Sequence, residues 1–275
     1  MTHRTLIDGL TLPDIGFGTG GLKGRHGAAV ITSALQSGYR LVDSAVRYEN
    51  EGAVGAAVRA SGVPRDEIVV TSKLPGRHHA HDQAVTAIEE SVYRTGLDHV
   101  DLYLIHWPNP SKDLYVEAWQ ALIEARERGL VRAIGVSNFL PGHIDRLVAE
   151  TGVTPVVNQV ELHPYFPQAE QRAYDAAHGI VTEAWSPIGR AGDVLTDPVL
   201  TRIAAAHGTS VAGVILSWHV RLGVLPLPKA STPERQRANL GAAGVELTDA
   251  DVAAIATLAR PDGRNNDQDP AVYEE

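Results

Sequence analysis

Short apolar runs alternate with stretches of roughly 3.6-residue periodicity along most of the chain. The runs predict strands near residues 14–18, 40–43, 68–72, 100–105, 132–136, 156–160, 180–184 and 223–227. Between them lie helical patterns such as Ala84, Ile88, Val92 and Thr95, ended by Gly96. Eight strands alternating with helices over this length favour an α/β fold of the (β/α)8 TIM barrel type over an open sheet. Ahead of the first strand, TLIDGLTLP sets an Asp8-Gly9 turn between short apolar pieces and predicts an N-terminal β-hairpin. No linker, low-complexity segment or repeat beyond the βα unit breaks the pattern, so residues 1–275 are expected to form a single domain. The connections near 186–196 and 228–239 are longer and more irregular, and barrel loops of that kind gather ligand contacts.

Composition narrows the class. A chain of 275 residues with 44% apolar content can bury one substantial core. The formal charge of −9, from 24 basic and 33 acidic residues, argues against nucleic acid as a partner. No apolar run is long enough for a membrane span, and MTHRTLIDGL lacks the apolar core of a secretion signal. Cysteine is absent, which excludes disulfides and thiolate metal sites and agrees with a cytoplasmic location. Neither pattern nor charge fixes the oligomeric state, for which a monomer is the expectation.

The polar residues at the predicted strand ends carry the candidate chemistry. They are Asp43, Lys73, His106, Ser137 with Asn138, and Gln159, and in a barrel they point into one mouth. Tyr48 follows Asp43 by five residues, on the loop before a helix opened by Asn50 and Glu51 with Val54 and Val58 on one face. A phenol has an ordinary pKa near ~10, and a neighbouring ammonium such as Lys73 favours its phenolate. Asp43 would hold Lys73 charged, and His106 would donate to a carbonyl oxygen as negative charge develops there. Such a set can protonate an alkoxide but carries no electrons, so a redox step requires a cofactor. Singly, each residue has a duller reading: Asp43 as a loop cap, Tyr48 on the rim, His106 in the core, and Lys73 snorkelling outward. Two other functions stay open on these residues alone. One is a Schiff-base lyase using Lys73 or Lys229; the other is a ligand-binding sensor or partner subunit on the same barrel, without catalysis.

Two motifs are set aside. Gly16, Gly18 and Gly21 match the dinucleotide fingerprint, with Asp43 at about the right distance beyond, yet LKGRHG intervenes before helical periodicity begins at Ala28. These glycines are read instead as a close-approach loop at the end of the first barrel strand. His78, His79 and His81 lack an accompanying ligand set and are read as a solvated loop, so no metal is expected. Trp119 and Trp218 fall in helical periodicity, as core or interface residues, whereas Trp107, next to His106, would wall a substrate pocket.

The chain resembles the aldo-keto reductase family over nearly its whole length. The resemblance rests on DSAVRYENEGAVG, Lys73, LIHWP, GVSNF, NQVELHP, WSPIG and LPKASTPERQRANL, in that order. The short tail DGRNNDQDP is similar to that of the compact bacterial branch, which includes the 2,5-diketo-D-gluconate reductases. The resemblance implies an NADPH-dependent reduction of a small carbonyl substrate, an aldehyde, ketone or dicarbonyl, with Tyr48 as general acid, Lys73 and Asp43 tuning it, and His106 orienting the substrate. It implies that Ser137, Asn138 and Gln159 hold the nicotinamide carboxamide, that Trp185 stacks on the ring, and that Gly18 and Thr19 border it. Ser186, Ile188 and Gly189 would fold over the pyrophosphate. Lys229, Ser231, Thr232, Arg235 and Asn239 would take the adenosine end, with Lys229 and Arg235 on a 2′-phosphate.

Several positions depart from the family pattern. Trp185 replaces a usual tyrosine, Ala230 a usual serine, and Gly20 with Gly21 a bulky aromatic. Arg47 stands where apolar residues are common and suggests substrates carrying a carboxylate or phosphate; its dull alternative is pairing with a surface acid such as Glu49 or Glu51.

Overall fold

The computed structural model describes residues 3–275 with the exception of Ile7. Strands β1 (His3–Thr5) and β2 (Thr11–Pro13) pair antiparallel, Thr5 opposite Thr11, to give the expected hairpin. Gly9 turns it with φ +90°, a conformation glycine adopts without a Cβ penalty. Leu6, Leu10 and Leu12 then pack on Leu41, Val69, Leu102, Ala133 and Leu225, so the hairpin plugs one end of the sheet.

The eight expected strands all form: β3 (Phe17–Gly18), β4 (Leu41–Asp43), β5 (Val69–Leu74), β6 (Val100–Ile105), β7 (Val131–Ser137), β8 (Val157–Glu161), β9 (Val181–Trp185) and β10 (Leu225–Pro226). They are parallel and lie in sequence order. Gly16 N–H donates to the Pro226 carbonyl and Gly18 N–H to the Pro228 carbonyl, both at 3.1 Å, which joins the last strand to the first and closes the barrel. This joint explains the glycines. A Cβ on Gly18 would stand 2.7 Å from the Leu227 carbonyl oxygen, and one on Gly16 2.5 Å from the Leu227 side chain. The close approach is therefore to β10, as a barrel requires, and not to a pyrophosphate.

Helices cover the outside: α1 (Gly24–Gln36), α2 (Glu51–Ala60), α3 (His81–Thr95), α4 (Tyr115–Glu127), α5 (Pro141–Thr151), α6 (Ala169–Ala177), α7 (Pro198–Ala206), α8 (Val211–Arg221), α9 (Pro233–Gly241) and α10 (Asp249–Ala256). Helix α3 buries Ala84, Ile88 and Thr95 and ends at Gly96, φ +60°, as its periodicity predicts. Trp119 on α4 and Trp218 on α8 are buried in the helix–sheet layer, which makes them core. No single helix among the described residues is long and apolar enough to cross a membrane. The irregular connection after β9 contains two 3-10 turns and then α7 before α8, so here two helices separate consecutive strands.

Candidate active site

At the mouth opposite the hairpin, β4 ends in Asp43 and β5 carries Lys73 one residue before its end. Lys73 Nζ donates to Asp43 Oδ1 at 2.6 Å and to the Ser44 carbonyl at 2.9 Å, and both side chains are almost wholly buried. Gln159 on β8 donates through Nε2 to Asp43 Oδ1 at 3.0 Å and to Glu183 Oε2 on β9 at 2.9 Å. A buried ion pair is tolerable only when its remaining donors and acceptors are satisfied, and these contacts supply the partners. Burial presses the Lys73 pKa down, but Asp43, Tyr48 and Glu183 outweigh it, so the ammonium is held above its ordinary value. A cation fixed in that state is no Schiff-base nucleophile.

Tyr48 sits on a single 3-10 turn, Val46–Tyr48, between β4 and α2. The residues after it clamp the loop. Asn50 donates to the Thr19 carbonyl and hydroxyl, both at 3.0 Å, and accepts from Ser44 at 2.6 Å; Glu51 is buried between Ser72 of β5 and Arg94 of α3. The phenol ring is thereby fixed with Lys73 Nζ 5.1 Å from its centroid and the His106 ring edge-on at 5.9 Å. The balance on its proton differs from the simple expectation. Burial raises the Tyr48 pKa more than Lys73 lowers it, and Asp43 adds to the rise, so in this state the phenol stays protonated, as an acid must before it donates.

The strand-end residues of β6–β9 complete the mouth. His106 follows β6, its N–H bonded to the Leu74 carbonyl at 2.9 Å. Asn138, at φ +62°, donates through Nδ2 to the His106 carbonyl and to Ser137 Oγ, and accepts the Trp185 indole N–H at 2.8 Å. Asp43, Arg47, Tyr48, His106, Trp107, Asn138, Gln159 and Trp185 line one cleft of about 820 Å³, which runs past Ser186 and Ile188 to Lys229. That volume suits a ligand of dinucleotide dimensions in part and a small substrate beside it.

Other expected residues stand apart from the cleft wall. Thr19 turns inward, its hydroxyl bonded to the Asp43 carbonyl at 2.7 Å, so its side chain ties β3 to β4 and faces no ligand. Ser137 is also buried, bonded to the Gln159 carbonyl at 2.8 Å. Gly189, φ +54°, packs beside Val194. Ser231, Thr232 and Arg235 are exposed and Asn239 half-exposed, on the start and body of α9 beyond Lys229. Thr232 caps that helix, accepting from the Arg235 N–H at 3.4 Å. Ala230 points its methyl into the core with Ile15 and Ala242, so a serine there would not simply face a phosphate.

Arg47 corrects its dull alternative. Glu49 pairs with Lys23 and Glu51 with Arg94, whereas Arg47 lies 3.4 Å from Glu275, far along the chain. The histidine run corrects another expectation: His79 is buried rather than solvated, and burial pushes it down to about 4. No group of three or more metal-ligating side chains exists among the described residues.

Lys23, Arg190, Asn266 and Gln268 also line the cleft, and Glu183 supports Gln159; the tail DGRNNDQDP and the 186–196 connection stand out in the sequence, but no strand-end placement assigns these side chains a role. Arg190 and Lys229 bring positive charge to the cleft, and Lys229 Nζ bonds the Gly20 carbonyl at 2.9 Å. Gly20 leaves open space beside it, whereas a Cβ on Gly21 would touch Lys229 Nζ at 3.7 Å. Only the barrel's closure brings these distant segments together, so spacing in the chain gave no signal.

The comparisons agree with this architecture. Residues 14–260 match the Aldo/keto reductase family. The chain is 52% identical over 271 residues to a 2,5-diketo-D-gluconic acid reductase B from Corynebacterium sp. (strain SHS752001), covering 98% of this chain and 97% of the relative. Among solved structures, it is similar to a point mutant of Gox0644 in complex with NADPH, with a TM-score of 0.94 at 39% identity and coverage of 100% and 99% of the two chains. A Bombyx mori aldo-keto reductase in complex with NADP gives a TM-score of 0.90 at 34% identity, covering 99% of this chain and 97% of that one. A barrel whose strand ends carry this set, matched by a family over most of its length, leaves one assignment: the chain belongs to the aldo-keto reductase family.

Proposed function

We propose that the protein is an NADPH-dependent reductase of aldehydes, ketones or dicarbonyls, in which Tyr48 gives the proton. The observation that carries this reading is the buried Lys73–Asp43 pair set against Tyr48 at the wall of the cleft. The donor set fits the cofactor. Gln159 has both amide protons engaged by Asp43 and Glu183, which leaves its carbonyl oxygen to face a nicotinamide carboxamide. Trp185 offers an aromatic wall, while Lys229 and Arg190 place cations where phosphates would lie. Beyond them Ser231, Thr232, Arg235 and Asn239 would hold the adenosine end, with Arg235 and Lys229 favouring a 2′-phosphate.

When bound, NADPH supplies the hydride. The chain's own residues bind, orient and protonate. Tyr48 delivers its hydroxyl proton to the carbonyl oxygen, and the resulting phenolate is stabilised by the Lys73 ammonium, which Asp43 and the Ser44 carbonyl hold in place. His106 and Trp107 wall the substrate side, with Trp107 packed against Trp185 and Tyr273. Asn138, on the cleft wall, would help hold the carboxamide, and the buried Ser137 accepts from Asn138 Nδ2 at 3.0 Å and so positions it.

NADPH oxidation measured by absorbance over a panel of carbonyls tests the reading. Tyr48→Phe should lower kcat by about 10²–10⁴-fold while NADPH binding persists. A wild-type protein that binds NADPH but oxidises it with no carbonyl would leave the sensor reading in its place. Arg47, exposed at the cleft wall, is proposed to favour substrates bearing a carboxylate or phosphate. Arg47→Leu should weaken reduction of an anionic aldehyde more than that of a matched neutral one; an equal effect on both removes this assignment.

A further inference from the structure

His106 has two ring nitrogens with different surroundings. The ring lines the cleft, but Nδ1 is buried and lies 2.7 Å from Oε1 of Glu275, bent away from the straight line of a hydrogen bond. Two lone pairs at that separation would repel, so a proton belongs between them. The Glu275 side chain is itself 4% exposed and is held on every side. Its Oε2 accepts from the Gly76 N–H at 3.1 Å, its Oε1 also faces Arg47, and its backbone N–H donates to Asn109 Oδ1 at 3.3 Å. Both carboxylate oxygens therefore meet donors. An amide would turn an NH₂ toward one of them, so the position calls for a group that only accepts.

We propose that Glu275 is a positioning residue for His106: its carboxylate fixes the ring proton on Nδ1, so Nε2 is bare in the neutral ring and donates only from the imidazolium. This rests on the reductase reading above and deepens it. In a neutral imidazole one nitrogen donates and the other accepts, and the partner of Nδ1 decides which. A carbonyl oxygen cannot be bonded by a bare Nε2. His106 thus contributes to carbonyl binding in its protonated form, while Tyr48 remains the proton donor.

The charged groups around the ring are Asp43 from β4, Arg47 and Tyr48 from the turn after it, Lys73 from β5 and Glu275 from the tail. Burial lowers the His106 pKa most, Lys73 lowers it further, and Glu275 with Asp43 opposes them, leaving it below its ordinary value. For Glu275, burial pushes upward, yet His106, the Gly76 N–H and Arg47 outweigh it and keep the carboxylate ionised. The sign follows. As pH falls through the His106 ionisation, the imidazolium and its Nε2–H appear, so kcat/KM for carbonyl reduction rises toward low pH. Removing the carboxylate disfavours the imidazolium and moves that rise to lower pH.

The test has two independent readouts on the full chain. Nitrogen NMR with isotope-labelled histidine, His106 being identified by the signal lost in His106→Asn, should show Nδ1 protonated and Nε2 bare at alkaline pH. Glu275→Ala should abolish that preference. In kinetics, Glu275→Ala and Glu275→Gln should both move the low-pH rise in kcat/KM down by about one pH unit. A wild-type ring protonated on Nε2, or a pH profile unchanged in both variants, overturns the proposal. The spectrum reads the ring without turnover, so a failure of the reductase reading leaves the tautomer result standing on its own.

Discussion

The two ends of the cleft are built on opposite plans. At the substrate end, Lys73, Asp43 and Gln159 are buried and bonded to one another, and Asn50 and Glu51 are buried and bonded to Ser44 and Ser72, before any ligand arrives. At the far end, Lys229 lines the cleft and Ser231, Thr232 and Arg235 lie beyond it, all exposed and with few side-chain partners in the protein. Chemistry requires fixed charges, because a donor that must reorganise during the reaction stabilises less. Grip on a phosphate does not: long cationic side chains can wait in water and close on the anion, with the ordering cost met from ion-pair energy.

The contrast breaks most visibly at Lys73. Lys73→Met leaves Asp43 buried beside Glu183 without its cation, and urea unfolding should show a loss of about 3–5 kcal/mol. A loss under about 1 kcal/mol, the range of an exposed pair, would mean that the rim is no more prebuilt than the other end. At that other end, Arg235→Ala should leave folding stability unchanged. It should weaken NADPH binding by about 1.5–3 kcal/mol in fluorescence titration, with little effect on NADH. Equal losses for both nucleotides would place Arg235 away from the 2′-phosphate. The smallest effect is expected at Ala230→Ser, which should shift the NADPH-to-NADH ratio by less than about 1 kcal/mol, because the side chain points into the core. A tenfold gain for NADPH would show that the segment between β10 and α9 turns residue 230 out of the core on binding.

The sequence discloses these regions unequally, for a physical reason. Strand positions, the helix over Ala84–Thr95 and the rim set Asp43, Tyr48, Lys73 and His106 are legible because period and strand-end placement are local properties of the chain. The late helix start expected from periodicity is not found, because α1 opens at Gly24, inside LKGRHG; what separates the glycines at 16 and 18 from a nucleotide loop is their partner at Leu227, which lies across the closed barrel and leaves no local trace. Arg190 lies in the irregular 186–196 connection where ligand contacts are expected, but Glu275 and Glu183 are hidden in the same way. Each reaches the site from another loop or strand, and an acid beside a tail tyrosine has no spacing that ties it to His106. The net direction at Tyr48 was also out of reach, since a pKa balances charge against burial, and burial depends on the packed structure.

The joint between β3 and β10 has a consequence for the whole barrel. Its hydrogen bonds run one way, from Gly16 and Gly18 to carbonyls on a segment where Pro226 and Pro228 have no N–H to return. Lys229 already reaches over this seam to the Gly20 carbonyl. A nucleotide lying against Gly18, Gly20 and Lys229 would rivet first strand to last, so loading the enzyme would also tighten its hoop.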